Sequence, residues 1–510
     1  MAWLLATWLN VDSTLWAHLL RTQLLELLLN TLALAAGVFI SVSIVGASLA
    51  WLVVRYEFPG RTFFEWALVL SFAVPAYVFA FLLVGTLDGA APFMVWLRDT
   101  TGLNIWPEIR TYWGALLAFT FAFYPYVYVF ARSAFKKQGQ EVLEVAQSLG
   151  CRPLAVFIRV VLPAAWPAIV AGAGLGVMEA LADFGTVAIF NYSTFTTAIY
   201  KSWFGFFSIQ TAAQLASWLV LSVFTWRWFE TKLVRQPLRG GELTAPAGRL
   251  ERIKLTRLPA LLVTLLMSLV FAVSFGIPLV QLVRWTFQSF AQARPEQFID
   301  VIWRSFILAF GASVVILISA LFLAVAARMD GRRRVANAMR FATVGYALPG
   351  SILAVGLMLA VTSIQNGLEL LGWSLQLIGG LFVLILAYLI RYLAVGVSGT
   401  TAALATLPRH IGEAAQVLGA SMWRRIRLIY GPLLAPGLGG TLLLVMVDLL
   451  KEMPATLLLR PYGWDTLAVS IYGYTSEGDW MLAALPGLLL VAVGLLPVFV
   501  LLKRLDRDKL

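Results

Sequence analysis

Four carboxylates fall inside long apolar stretches of this chain: Glu179, Asp183, Asp448 and Glu452. In each pair an acid follows an acid after four residues, and 448 minus 179 and 452 minus 183 both give 269. Carboxylates at i and i+4 share one helix face. At about 1.5 Å per residue, Glu179 lies roughly 24 Å along a helix from Pro163, near the far end of a membrane span. Ionisable groups at that depth are costly and face a protein interior or a wet cavity. Two roles fit them. One is an interhelical network in which Lys451, or Lys201 of a neighbouring loop, neutralises the acids. The other is a translocation path whose acidic lining attracts a hard, highly charged cation through transient contacts, with no fixed metal site.

Other chemistry is scarce. Ser193 and Thr194 stand beside Tyr192 without a base, which suits loop hydrogen bonding better than catalysis. His18 and His410 fall on opposite sides of the expected membrane, and no zinc-protease pattern surrounds either. The single cysteine, Cys151, allows neither an intrachain disulfide nor a thiolate metal centre. No Lys follows a Gly, so the chain has no phosphate loop ending in Gly-Lys-Ser/Thr. We read no enzyme active site here, and energy for transport would have to come from another subunit.

The elements that position the acids are membrane helices. Hydrophobic residues make up 60% of the 510 and charged residues 13%, with a mean hydropathy of +0.85. Apolar runs near 25–54, 62–86, 111–133, 164–190, 207–229, 258–285, 303–326, 341–362, 377–399, 433–455 and 482–502 predict eleven spans. Without water their backbone amides are satisfied only as helices, because the runs lack the alternation of a membrane strand. The expected fold is an all-α polytopic bundle. Net charge is +12, but the basic residues occupy alternate loops, the pattern of cytoplasmic loops rather than of nucleic-acid binding. Those loops are 55–61, 132–159, 232–257, 328–340 with Arg332-Arg333-Arg334, 409–427 and the tail 503–509. The opposite loops, such as 191–206 and 456–481, are poor in Lys and Arg and hold Trp, Tyr and Thr. This places Trp203 and Trp480 near the outer surface. Five spans precede a basic cytoplasmic linker at 230–257 and six follow it, so residues 1–229 and 258–510 read as two repeats, the first one helix short. The segment before residue 25 is expected to lie outside, and a cleavable signal peptide is the weaker reading, since no basic residue precedes its apolar stretch.

The repeats share a loop without slippage. Glu144-Val145-Ala146, three residues, Gly150, then Val160-Val161-Leu162-Pro163 matches Glu413-Ala414-Ala415, three residues, Gly419, then Ile429-Tyr430-Gly431-Pro432 at the same 269-residue offset. Each copy, about 138–163 and 407–432, reads as a helix ending at a turn glycine and a second helix closed by proline. This pattern resembles the EAA loop of binding-protein-dependent ABC importer permeases of the MetI-like fold. In that family the loop docks into a cytoplasmic ATPase, and the resemblance makes Glu144, Ala146, Gly150, Pro163, Glu413, Ala414, Ala415, Gly419 and Pro432 coupling residues. Leu181-Ala182-Asp183-Phe184-Gly185-Thr186 and Lys451-Glu452-Met453-Pro454-Ala455-Thr456 further resemble the ferric iron branch, which also fuses two halves in one chain. That implies a multi-pass permease of the bacterial inner membrane. It would receive Fe3+ as substrate from a periplasmic iron-binding protein and work with two copies of an ATPase that holds ATP and magnesium, while this chain itself binds no cofactor. Departures are Val145 in place of the central Ala, Gly431 in place of Leu, and the missing first helix. Thiamine permeases are also fused halves, and a secondary transporter built from two parallel repeats is the other alternative, against which the paired loops argue.

Overall fold

The computed structural model describes residues 2–11, 13–102, 108–136, 153–234, 252–290, 295–330, 344–372, 380–405, 417–419 and 421–507. Among them nine helices are long and apolar enough to cross a membrane, and Ala484–Val498 is a shorter apolar helix. With the 26-residue helix Ile209–Val234 they occupy the eleven expected spans. The strand content of the described residues is one two-residue parallel pair, Tyr56 with Ile253 and Glu57 with Lys254. It pins the end of the basic linker next to the end of the first span.

The repeat is visible in the helix ends themselves. Tyr112–Lys136 and Leu381–Ala405 begin 269 residues apart, and Leu162–Ala182 and Gly431–Lys451 both begin and end 269 residues apart. The expected span 62–86 is not one rod. It divides into Arg61–Ala67, a 3-10 turn at Leu70–Ala73 and a helix Ala76–Leu87 that starts after Pro75. A 3-10 turn at Val344–Ala347 and Pro349 before Gly350–Leu370 repeat this device. Proline lacks the N–H that a continuing helix needs, so it begins a helix readily and interrupts one badly.

The chain packs as two units, one of Thr7–Ala291 and Ile471–Val498, the other of Met1–Ala6, Gln292–Ser470 and Phe499–Leu510. In the first, Tyr112–Lys136 is central and packs against Leu24–Arg55 and Leu162–Ala182. Gly46 and Gly172 make this possible: a Cβ on Gly46 would stand 2.8 Å from the Tyr124 carbonyl oxygen, and one on Gly172 2.8 Å from Val127 Cα. Between membrane helices, where lipid is as apolar as Leu, such close backbone contact is a main source of association. In the second unit Leu381–Ala405 takes the central place, against Pro295–Asp330 and Gly431–Lys451. There Gly399 faces Thr441, the position that matches Gly172, so the small residue has moved to the other helix of the pair.

Peripheral helices carry the lipid face. Leu258, Leu261, Leu262, Leu265 and Leu269 are all exposed along one stripe of Arg257–Phe271. The N-terminal segment packs beside Ile209–Val234, where Trp8 Nε1 donates to Ser217 Oγ at 3.0 Å and Gln214 Nε2 to the Thr7 carbonyl at 2.8 Å. Its helix Ser13–Thr22 has ten residues, too few to cross.

Candidate functional site

Of the coupling residues, Glu144, Ala146, Gly150, Glu413, Ala414 and Ala415 lie outside the described residues, while Pro163, Gly419 and Pro432 lie within them. Gly419 has φ of 77°, and no atom of the described residues comes within 4 Å of where its Cβ would be. Its glycine is therefore required by backbone conformation and not by crowding. Beside it Val417 and Leu418 are 88% and 85% exposed, an apolar tip held away from the unit.

The prolines do not close the second helix of each loop, as the sequence suggested. Pro153–Val156 runs through a π turn at Phe157–Val161 straight into Leu162–Ala182, and Met422–Arg425 runs through one at Ile426–Tyr430 into Gly431–Lys451. In the first, the N–H of Leu162 reaches back five residues to the Phe157 carbonyl. The wider turn is one way to seat a proline, which has no N–H to give, while Pro125, Pro167 and Pro436 sit inside α-helix. A third such turn, Ala272–Gly276, precedes Pro278. The described end of each loop, from Pro153 and from Met422, thus joins its membrane span as one rod.

The root of the first loop is held by charge. Glu65, 3% exposed, accepts from Arg61 at 3.2 Å, from Lys136 at 2.9 Å, and from Arg132. Arg132 also lies over the Trp66 ring, 5.1 Å from its centroid. The phenols of Tyr124 and Tyr128 donate to the carbonyls of Leu68 and Glu65, which fastens the short helix Arg61–Ala67 to Tyr112–Lys136. In the other repeat the positions matching Arg132 and Lys136 are Thr401 and Ala405. Among the described residues near that root Ala324, Ala403, Leu404 and Leu434 are buried together. Nothing in the motif spacing pointed to this difference.

The acids occupy helix ends, not a shared helix face. Leu162–Ala182 stops before Asp183, whose φ of −74° and ψ of 134° leave the helix, and Gly431–Lys451 stops before Glu452. Each second acid instead caps the short helix that follows. Asp183 Oδ1 accepts from the Thr186 N–H at 2.6 Å ahead of Gly185–Ile189. Glu452 accepts from the N–H groups of Ala455 and Thr456, both at 3.0 Å, and heads Pro454–Leu459. Glu179 and Asp448 remain half-buried on the preceding helices. Asp448 acts electrostatically on Lys451, and Lys201 is exposed. The cation that meets Glu452 is Arg391, whose Nη1 stands 3.1 Å from Oε1. Arg391 was not singled out in the sequence, although an arginine inside an apolar span is itself a signal of function.

Aromatic rings flank Asp183. Phe184 packs against Tyr200 and Tyr472 with centroids 4.8 and 5.2 Å apart. Burial pushes the Tyr472 phenol above its ordinary range, so it stays a neutral donor. Thr196 Oγ1 donates to the Asp183 carbonyl at 2.9 Å, and Thr194 caps the helix Phe195–Tyr200, the hydrogen-bonding role expected for that loop.

The family model described as binding-protein-dependent transport system inner membrane component matches residues 19–229 and 325–509. The chain is 29% identical over 502 residues to the Fe(3+)-transport system permease protein FbpB 2 of Haemophilus influenzae, covering 95% of this chain and 91% of that one. It is 33% identical over 179 residues to the probable sulfate transport system permease protein cysT of Nephroselmis olivacea, covering 35% of this chain and 57% of that one. A putative 2-aminoethylphosphonate transport system permease protein PhnV of Salmonella typhi is 29% identical over 256 residues, 47% of this chain and 92% of that one. A solved bacterial alginate ABC transporter chain aligns over 47% of this chain and 91% of its own at 19% identity and a TM-score of 0.39, too slight a likeness to carry an argument. Each matched segment contains one copy of the repeated loop and one broken helix end with its capping acid, and the chain belongs to the family of binding-protein-dependent transport system inner membrane components, with two permease repeats fused in one polypeptide.

Proposed function

We propose that this chain is the permease of an ATP-driven importer that takes ferric iron from a periplasmic binding protein and carries it across the bacterial inner membrane. The observation that carries the substrate is coverage. The Fe(3+) permease is similar along 95% of the chain and 91% of its own length, so it shares both repeats, whereas the sulfate and 2-aminoethylphosphonate permeases match 35% and 47% of the chain with 57% and 92% of their own lengths. Two copies of the coupling loop fit two copies of a cytoplasmic ATPase, on which ATP and magnesium would sit. The basic loops put both copies on the cytoplasmic side. Glu179, Asp183 and Asp448 are proposed as path-lining carboxylates, whose oxygens suit a hard cation in transit.

The experiment is uptake of labelled ferric iron by cells that depend on this permease, with excess sulfate, 2-aminoethylphosphonate or thiamine as competitors. Iron uptake undiminished by all three is expected. Carriage of thiamine or of either anion in place of iron would overturn the ferric assignment and leave the family standing.

A further inference from the structure

Two phenols meet where the first helix break lies. Phe184, the residue after Asp183, is 4% exposed and packs on both, its ring centroid 4.8 Å from that of Tyr200 and 5.2 Å from that of Tyr472. The Tyr200 and Tyr472 rings stand edge to face with centroids 5.9 Å apart, and their hydroxyls share a hydrogen bond. Tyr200 lies in the first matched segment of the chain and Tyr472 in the second, yet both pack in the unit of Thr7–Ala291 and Ile471–Val498. The 269-residue offset sets Val469 against Tyr200 and Trp203 against Tyr472, so the pair is built once and is not itself repeated. Tyr200 is held in place from below: Thr196, one turn before it, donates to the Asp183 carbonyl, and the Thr194 capping box starts the same six-residue helix. Both phenol residues are half-buried, neither sealed in the core. Phe204 adds a fourth ring, 5.0 Å from Tyr200. These rings touch one another and leave no slot in which an organic cation could stack between them.

We propose that Tyr200 and Tyr472 form a ferric subsite, whose two phenolate oxygens take the ion as it leaves the binding protein. This rests on the ferric reading of the cargo. Fe3+ is a hard, highly charged ion that prefers anionic oxygen, and a phenolate offers one. Two O–H bonds break, two Fe–O bonds form and two protons leave to water, with the iron ferric throughout. Oxygens that share a hydrogen bond are spaced much as adjacent ligands of one small octahedral ion are, so the pair needs little rearrangement to hold it. A phenol keeps its proton at neutral pH, and burial with Tyr200 alongside holds the Tyr472 proton more firmly still. An ion must therefore be a strong enough Lewis acid to displace it. Mg2+ and Ca2+ are not, so the pair selects for charge in a way that a carboxylate, already ionised, does not.

The test titrates the full-length permease in lipid nanodiscs with ferric nitrilotriacetate and reads the visible phenolate-to-iron charge-transfer band, with thermal unfolding followed in parallel. The wild type should develop the band, and excess Mg2+ or Ca2+ should not remove it. Tyr200→Phe and Tyr472→Phe keep the rings and remove only the oxygens. Each should weaken iron binding about tenfold or more, and the Tyr200→Phe/Tyr472→Phe double variant should lose the band, with unfolding nearly unchanged. Tyr462→Phe, at a fully exposed phenol, should leave the band as it is. With the ATPase and binding protein restored, ferric uptake per permease should fall about tenfold or more in the double variant. A wild type without the band, or a band that survives in the double variant, overturns the subsite. A double variant that loses the band and still imports iron at the wild-type rate overturns its place on the path. Thiamine held equally by the wild type and the double variant, with no iron band in either, would make the cluster an aromatic platform and overturn the inference too. A wild type that shows the band but imports no iron overturns the functional reading instead and leaves the subsite standing.

Discussion

Glu65 and Glu57 carry the same group at different depths, four residues or so from the same arginine. Glu65 is 3% exposed among Arg61, Arg132 and Lys136. Glu57, with its side chain 41% exposed, bridges Arg61 at 3.3 Å and Arg252 at 3.5 Å. Replacing a buried partner strands the charges around it, so Glu65→Gln should cost about 3–5 kcal/mol, whereas water screens the outer pair and Glu57→Gln should cost about 1 kcal/mol or less. Denaturant or thermal unfolding of the two variants in detergent checks this, and equal losses would mean that water reaches Glu65. The four acids proposed for the path were legible as a repeated pattern, but Asp183 and Glu452 were not legible as cap residues. Met453-Pro454 held part of the signal, since the residue before proline is disfavoured in the helical region, yet Met453, at φ of −111° and ψ of −48°, stays within it. Arg391 was legible too, as the arginine within the expected span 377–399. Its pairing with Glu452 was not, because 61 residues separate the two and no local period connects them.

Among the elements, the loops proposed for coupling depend on a turn and on a rod. A Cβ at Gly419 would meet no atom of the described residues, so among them Gly419→Val acts through backbone strain, about 1–2 kcal/mol at positive φ. That is enough to redirect the helix after it without unfolding the bundle. Transport and binding-protein-stimulated ATP hydrolysis should fall together, while the amount of permease in the membrane stays at wild type. Normal transport in this variant would mean that the turn does not set the docking geometry. The positive φ of Gly419 was readable from residue type, and the 269-residue offset carried over from loop motif to helix ends. The π turns before Pro163, Pro432 and Pro278 were not readable. A proline announces that regular hydrogen bonding must give way, but whether the helix ends or widens is decided by what packs around it. The same ambiguity hid the break before Pro75, where an unbroken apolar run conceals a 3-10 turn.

Over the whole molecule, apolar run length placed eleven helices, because the requirement that every amide be paired in lipid acts locally. Packing partners were less accessible. Arg257–Ser289 follows the linker and opens the second repeat by sequence, yet it belongs to the unit built mainly from the first. A stripe of leucines records that a face is apolar, and lipid and protein ask the same of it. The proposed function rests at this scale on the family to which the chain belongs and on the two copies of the loop proposed to meet an ATPase. The most direct measurement is ferric uptake by sealed vesicles holding this permease, the ATPase and the binding protein, with ATP supplied or withheld on the cytoplasmic side. The account predicts uptake that needs ATP, the ATPase and the binding protein together and that persists when ion gradients are collapsed. Uptake that runs without the ATPase and stops when a proton gradient is collapsed would contradict it.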